Sequence, residues 1–243
     1  MTPQERLVAT AAAQAGYLGK KSNDQLDSFT ANSGGKFTKY ARDLDALGDF
    51  YNGPKQGFDW CDVFVDWCFV QTFGRALAQK LTGQPDRSAG AGTGYSLGYY
   101  KAKGRLFSTP QVGDQIFFGD AKSTWHTGIV TAVSGGMVST VEGNTGLPLG
   151  VHTFRYPLGS GSIKGYGRPD WSLVASGPVE AGTAERETDG TVYRTLADVP
   201  AWARAAVGKC VDRGALLGDG GGLNLSRDLC RVLVVLDRLG KLS

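Results

Sequence analysis

The sequence predicts an α+β fold: N-terminal helices packed on an antiparallel β-sheet, followed by a small all-α C-terminal module. Three observations predict it. Helical patterns mark Thr2 to Gly16 and Trp60 to Phe73, short β-branched runs separated by glycine turns occupy Gln115 to Tyr166, and helical spacing returns after Asp198. Helices first and antiparallel strands afterwards is the order of an α+β domain.

Thr2-Pro3-Gln4-Glu5 reads as a capping box with proline at the first helical position. Leu7, Val8, Ala11, Ala12 and Ala15 then give one apolar face before Gly16. Lys20 to Gly57 is polar, rich in Asn, Asp and Gly, and broken by Pro54, with one short helix predicted from Tyr40 to Leu47. A strong helix is predicted from Trp60 to Phe73. Beyond Gly74 the chain reads as glycine-rich irregular structure, with Gly90-Ala91-Gly92-Thr93-Gly94 as a turn. Strands are predicted at Gln115 to Phe118, His126 to Val133, Met137 to Glu142, Val151 to Tyr156 and Ile163 to Tyr166. Ser134-Gly135-Gly136 is taken as a three-residue hairpin loop.

Residues 1–175 are therefore expected to form one domain, 176–190 a linker and 191–243 a small helical module. The stretch from Ser176 to Gly190 lacks apolar periodicity and sets Glu180, Glu185, Glu187 and Asp189 against one cation, Arg186. After it, Asp198 is placed to cap a helix running to Arg213. Ser226 caps another, in which Leu229, Val232, Leu233, Leu236 and Leu239 recur at helical spacing.

Composition narrows the class. Of 243 residues, 41% are hydrophobic, 20% are charged and 36 are glycine, which describes a loop-rich globular chain. A net charge of +3 with no dense Lys/Arg stripe argues against nucleic acid as partner. No apolar run is long enough to span a bilayer, so no membrane insertion is expected, and the N-terminus carries no basic-then-apolar export signal. Cys61, Cys68, Cys210 and Cys230 are too scattered for a disulfide framework. The two histidines, His126 and His152, are not spaced with them as zinc ligands, so no metal or other cofactor is expected.

Chemistry concentrates on one cysteine. Cys61 stands at the start of its helix, where unpaired N–H groups and the helix dipole favour an anion and are expected to lower the thiol pKa. Composition alone reads Cys61 as a buried structural residue, and Cys68, two turns further in, keeps that reading. A three-residue loop would set Val133 opposite Met137, and the same register would put His126 opposite Asn144 with Glu142 one diagonal step away. A two-residue loop would turn both away. An acid or amide beside the imidazole would fix its tautomer, and it is this combination of Cys61, His126, Glu142 and Asn144 that points to nucleophilic catalysis. Trp60 and Trp125 adjoin the two principal residues and are expected to line a substrate groove, although both positions suit core aromatics equally.

The segments Trp60-Cys61-Asp62-Val63-Phe64-Val65-Asp66-Trp67-Cys68, Gly113-Asp114-Gln115-Ile116-Phe117-Phe118, His126-Thr127-Gly128-Ile129-Val130 and Val141-Glu142-Gly143-Asn144-Thr145, in that order, resemble the CHAP family, the cysteine, histidine-dependent amidohydrolases/peptidases. The resemblance spans Met1 to Trp171. It implies a papain-like fold and hydrolysis of an amide bond in bacterial peptidoglycan, by an N-acetylmuramoyl-L-alanine amidase or an endopeptidase. Cys61 would be nucleophile, His126 base and then acid, Glu142 the orienter and Asn144 an auxiliary polar group. The family requires no cofactor in general. Some phage members bind calcium ahead of the nucleophile, where this chain has Asp43, Asp45, Asp49 and Asp59 without a clear ligand pattern.

The tail, Tyr193-Arg194-Thr195-Leu196-Ala197-Asp198-Val199-Pro200-Ala201-Trp202-Ala203 with Gly218-Asp219-Gly220-Gly221-Gly222-Leu223-Asn224-Leu225-Ser226, resembles a small helical module recurring in phage and bacterial surface proteins, expected to bind the wall, to assemble a homo-oligomer or to act only as a stabilising extension. Together these features imply a phage endolysin, made in the host cytoplasm without a signal peptide and acting on the cell wall. The competing expectation is a catalytically silent wall-binding or structural phage protein that keeps the fold.

Overall fold

The computed structural model describes residues 1–88, 90–175, 192–218 and 222–226, together with 229–230, 233–234 and 237. Residue contacts divide the chain into two compact units, Met1–Gly182 and Thr183–Ser243.

The first unit is α+β. Helix α1 (Pro3–Ala12) opens on the capping box: Glu5 N–H donates to Thr2 Oγ1 at 3.2 Å, and Thr2 N–H donates to Glu5 Oε2 at 2.8 Å. Helix α2 (Lys39–Asp45) is capped by Thr38, and α3 (Cys61–Phe73) follows. Ten of the thirteen residues of α3 are buried, so it is the central helix, packed between α1, α2 and α4 on one side and the sheet on the other. Two further helices, α4 (Arg75–Thr82) and α5 (Thr93–Ala102), occupy the stretch read as irregular. Their N-caps are Gly74 and Gly92, which supply no side-chain bond and so leave none of the Ser/Thr/Asp signals by which helix starts are read.

Strands β1 (Leu106–Phe107), β2 (Gln115–Gly119), β3 (Thr124–Ser134), β4 (Met137–Thr145), β5 (Gly150–Pro157) and β6 (Ile163–Gly167) form one antiparallel sheet in the order β1-β6-β2-β3-β4-β5. A short α6 (Ser172–Ala175) follows. Ile129, Val141 and Val151 face the main core with Phe64, Trp60 and Tyr40. Ile116, Phe118, Val130, Val138 and Tyr166 form a second cluster from the other face, as alternation along each strand requires. Sheet and helix meet closely at Gly143, where a Cβ would lie 2.6 Å from Phe64 Cβ and 2.8 Å from the Trp60 ring. Only glycine fits there.

The β3–β4 hairpin corrects the expected turn. Ser134 pairs with Met137, so the loop is the two residues Gly135-Gly136, with φ of 57° and 73°. Positive φ at both positions gives a tight turn that twists with its strands. That loop alone would have turned Glu142 from His126, but the register slips between Val130 and Ala132, leaving Thr131 as a bulge. The extra residue returns β3 to the pairing Val130↔Thr140 and Ile129↔Val141, which, continued, sets His126 opposite Asn144. The expected alignment is reached by a different route.

In the second unit, α7 (Ala201–Asp212) packs with Tyr193, Val199, Leu225, Cys230 and Leu233 around its own small core. Asp198 does not cap it. The residue preceding the helix is Pro200, and the Asp198 carboxylate accepts instead from Thr195 N–H at 2.8 Å and Thr195 Oγ1 at 2.9 Å. Ser226 caps the last helical segment through Leu229 N–H. Most of that segment, and the expected linker 176–190, lie outside the described residues. Among the described residues no helix is long and apolar enough to cross a membrane.

Candidate active site

Cys61 is the first residue of α3, preceded by Trp60 as N-cap. The Trp60 side chain makes no capping bond, and the Cys61 thiol itself faces the amides of Asp62 and Cys61. These are the donors that an anion at the helix start would meet. The thiol is nevertheless pushed up to about 12, first by burial and then by the Asp62 carboxylate, against the pull of the Asp62 and Cys61 amides. The expected lowering by the helix entrance is therefore overturned, because desolvation of a thiol only 7% exposed outweighs two backbone dipoles. Cys68 is fully buried in the core. All four cysteines are free.

His126, near the start of β3, holds its Nε2 2.9 Å from Glu142 Oε2. The imidazole side chain is 18% exposed and the carboxylate 1%, so a ligand can reach the first but not the second. Glu142 also accepts from Thr140 Oγ1 at 2.6 Å and from Tyr156 Oη at 3.3 Å. Phe118 lies beside the imidazole at 5.8 Å between ring centroids and beside Tyr156 at 4.9 Å, closing an aromatic wall around the pair. With Nε2 engaged by Glu142, Nδ1 is the nitrogen left to exchange a proton.

No hydrogen bond joins Cys61 to His126 among the described residues; the two are linked through their neighbours. Asp59, two residues before the thiol, accepts from Asn144 Nδ2 at 3.1 Å and pairs with Lys36 at 2.7 Å, contacts that hold its carboxyl below the usual range. Asp62, one residue after it, accepts from Gln115 Nε2 at 3.0 Å, and the same amide donates to Thr127 Oγ1 at 3.1 Å. Thr127 is the residue next to His126.

Asn144 thus does not support the imidazole. It sits at φ 59° in an irregular stretch of β4, its Nδ2 is committed to Asp59, and its buried Oδ1 has no partner. Trp60 is also corrected: it is wholly buried against Tyr17 and Tyr40 and lines no groove. Trp125 is 55% exposed and remains available to a ligand. His152 bonds the Pro148 carbonyl at 3.1 Å and stands outside the site. Sequence reasoning missed Asp62, Gln115, Thr127 and Tyr156. Only Tyr156 left a trace, through its strand alternation with Phe154 and His152.

The four aspartates considered for calcium do not converge. Asp43 accepts from Trp67 Nε1, Asp45 from the amides of Lys55 and Gln56, Asp49 from Arg75 and Asp59 from Asn144. Among the described residues no group of three or more His, Cys, Asp or Glu side chains is placed to hold a metal.

The CHAP domain family matches residues 53–144, a span that holds Cys61, His126, Glu142 and Asn144. No curated protein matches the sequence. Among solved structures, the crystal structure of the NlpC/p60 domain of the peptidoglycan hydrolase SagA is similar at 16% identity, over 68% of this chain and 97% of that one, with a TM-score of 0.36.

Proposed function

With a CHAP domain at residues 53–144, we propose that the chain is a peptidoglycan hydrolase that cuts an amide bond of the bacterial wall through Cys61, His126 and Glu142. The observation that carries the reading is the His126–Glu142 pair: a partly exposed imidazole whose far nitrogen is held at 2.9 Å by a buried carboxylate is the base-and-orienter half of a thiol hydrolase.

The raised thiol pKa sets the order of events. Cys61 rests as a thiol, so its proton passes to His126 Nδ1 as sulfur attacks the amide carbonyl carbon. The uncapped amides at the start of α3 receive the oxyanion. The C–N bond then breaks, His126 returns the proton to the leaving amine, and a thioester remains on Cys61. Water activated by His126 hydrolyses it, releasing a carboxylic acid and restoring the thiol. Glu142 keeps Nδ1 directed and supports the imidazolium throughout. Trp125 serves as an apolar surface for the substrate.

The bond cut is that between muramic acid and L-alanine or one within the peptide, and the role is that of an endolysin. The unit Thr183–Ser243 serves as a wall-binding or assembly module. Deleting Tyr193 to Ser243 and measuring wall pull-down and sedimentation separates those two roles.

A silent wall-binding protein is the competing reading. It is favoured by the absence, among the described residues, of a Cys61–His126 hydrogen bond. Turbidity of purified walls decides: clearance by the native chain and none by Cys61→Ala supports the hydrolase, whereas equal wall binding without clearance by both supports the silent protein.

A further inference from the structure

Behind the thiol lies a buried polar cluster for which the cysteine–histidine chemistry has no use. Asp62 is 1% exposed, Gln115 1% and Thr127 0%. Unpaired, such groups are costly in a core, so their arrangement has a reason to exist. Gln115 spends both amide hydrogens, one on Asp62 Oδ1 at 3.0 Å and one on Thr127 Oγ1 at 3.1 Å, while its Oε1 is buried without a partner. Flipping the amide would aim oxygen at a carboxylate, so this orientation is forced. Thr127 Oγ1 in turn donates to the Ile116 carbonyl at 2.7 Å, fixing the hydroxyl between β2 and β3. The other oxygen of Asp62 accepts from Ser96 Oγ of α5 at 2.8 Å.

We propose that Asp62, Gln115 and Thr127 form a positioning chain that locks the first turn of α3, and with it the Cys61 thiol, to the strand that carries His126. Each end of the chain is one residue from a member of the proposed catalytic pair. Asp59 and Asn144 tie the other flank of the thiol to β4 beyond Glu142. The inference rests on the cysteine–histidine reading above, and it assigns these three residues a role through others rather than contact with substrate.

Charge adds a second, separable signature. The Asp62 carboxylate raises the thiol pKa. The other ionisable groups around this pair are Asp59 before α3, Asp66 one turn along it, Tyr51 bonded to Asp66 and Tyr100 of α5. Replacing Asp62 with asparagine removes a neighbouring negative charge, while replacing Thr127 with valine breaks the chain and leaves the charge in place. The two changes act differently on the same sulfur.

The test is alkylation of the full chain by iodoacetamide from pH 5 to 10, read by mass spectrometry on the peptide containing Cys61, beside hydrolysis of purified peptidoglycan. His126→Ala defines the imidazole-assisted part of the alkylation rate. Thr127→Val is expected to lose that part and at least tenfold in hydrolysis while keeping the alkylation rate that remains without the imidazole at pH 10, and Thr127→Ser to restore both. Asp62→Asn is expected to raise the alkylation rate that remains without the imidazole about tenfold at pH 10, as a thiol pKa about one unit lower requires, while hydrolysis falls. A purely packing role would lower the melting temperature of Thr127→Val and leave its alkylation as in the native chain, which would overturn the proposal. If native alkylation depends on His126 and on Thr127 but no peptidoglycan is cut, the hydrolase reading fails and the positioning chain stands.

Discussion

Glu142 Oε2 and His126 Nε2 lie 2.9 Å apart across neighbouring strands, and that contact exists because a bulge at Thr131 offsets a two-residue turn at Gly135-Gly136. Three donors, from Thr140, Tyr156 and His126, converge on the buried carboxylate. Glu142→Gln keeps the volume but brings an NH₂ into that set of donors. Activity on peptidoglycan is expected to fall by about 10² to 10⁴-fold, as when an orienting carboxylate is replaced by its amide. Stability is expected to fall by about 1–3 kcal/mol from the mismatched hydrogen bond. Wall-clearance rates and urea unfolding check the two separately.

Trp60 and Trp125 are separated by burial. Trp60→Ala is expected to cost about 3–5 kcal/mol as a large core truncation. Trp125→Ala, at an exposed position, is expected to change stability by no more than about 0.5 kcal/mol and to raise the wall concentration needed for half-maximal rate. Denaturant melts and saturation curves for both variants test the assignment. A Trp60→Ala chain as stable as the native one would contradict it.

Gly143 is where β4 meets α3. Gly143→Ala places a methyl carbon 2.6 Å from Phe64 Cβ, an atom fixed to the helix backbone. About 1–3 kcal/mol of destabilisation is expected from overpacking. Because the displaced element carries Cys61, activity should fall at temperatures where the variant is still folded. A thermal melt beside an activity measurement well below the melting point reads both effects.

Asp66 gives a pH signature. Burial, and then the neighbouring Asp62, push its carboxyl well above the ordinary 3.8, while Tyr51 donates to it at 2.7 Å. The folded state therefore holds a proton that the unfolded state releases at lower pH. The associated stability is complete below 3.8 and is lost as pH rises through the raised value. Asp66→Asn is expected to flatten that decline between pH 4 and 8, measured as melting temperature against pH. A native chain whose stability rises steadily over that window would refute the sign.

The fold was legible wherever the signal is local. The capping box at Thr2, the apolar helix from Cys61 and the β-branched strands each carry their reason within a few residues. The partnership of His126 and Glu142 was legible only by way of a three-residue loop that the structure does not have, the register being restored by the Thr131 bulge. The turn and its compensating bulge were not, since backbone pairing with β4 and not the identity of Thr131 decides where the extra residue sits. Helices α4 and α5 were hidden by glycine caps. Burial of Trp60 and desolvation of the Cys61 thiol are tertiary effects, set by Tyr17, Tyr40 and the sheet packing around the helix start. Asn144 was drawn toward the imidazole by register alone, and the competing carboxylate of Asp59 lies far away in sequence.

Mass spectrometry of the fragments released from defined peptidoglycan tests the central claim most directly. Amide hydrolysis by Cys61 predicts new amine and carboxyl termini at one bond, present with the native chain and absent with Cys61→Ser. New reducing sugar ends in place of those termini, or the same fragments from Cys61→Ser, would contradict it.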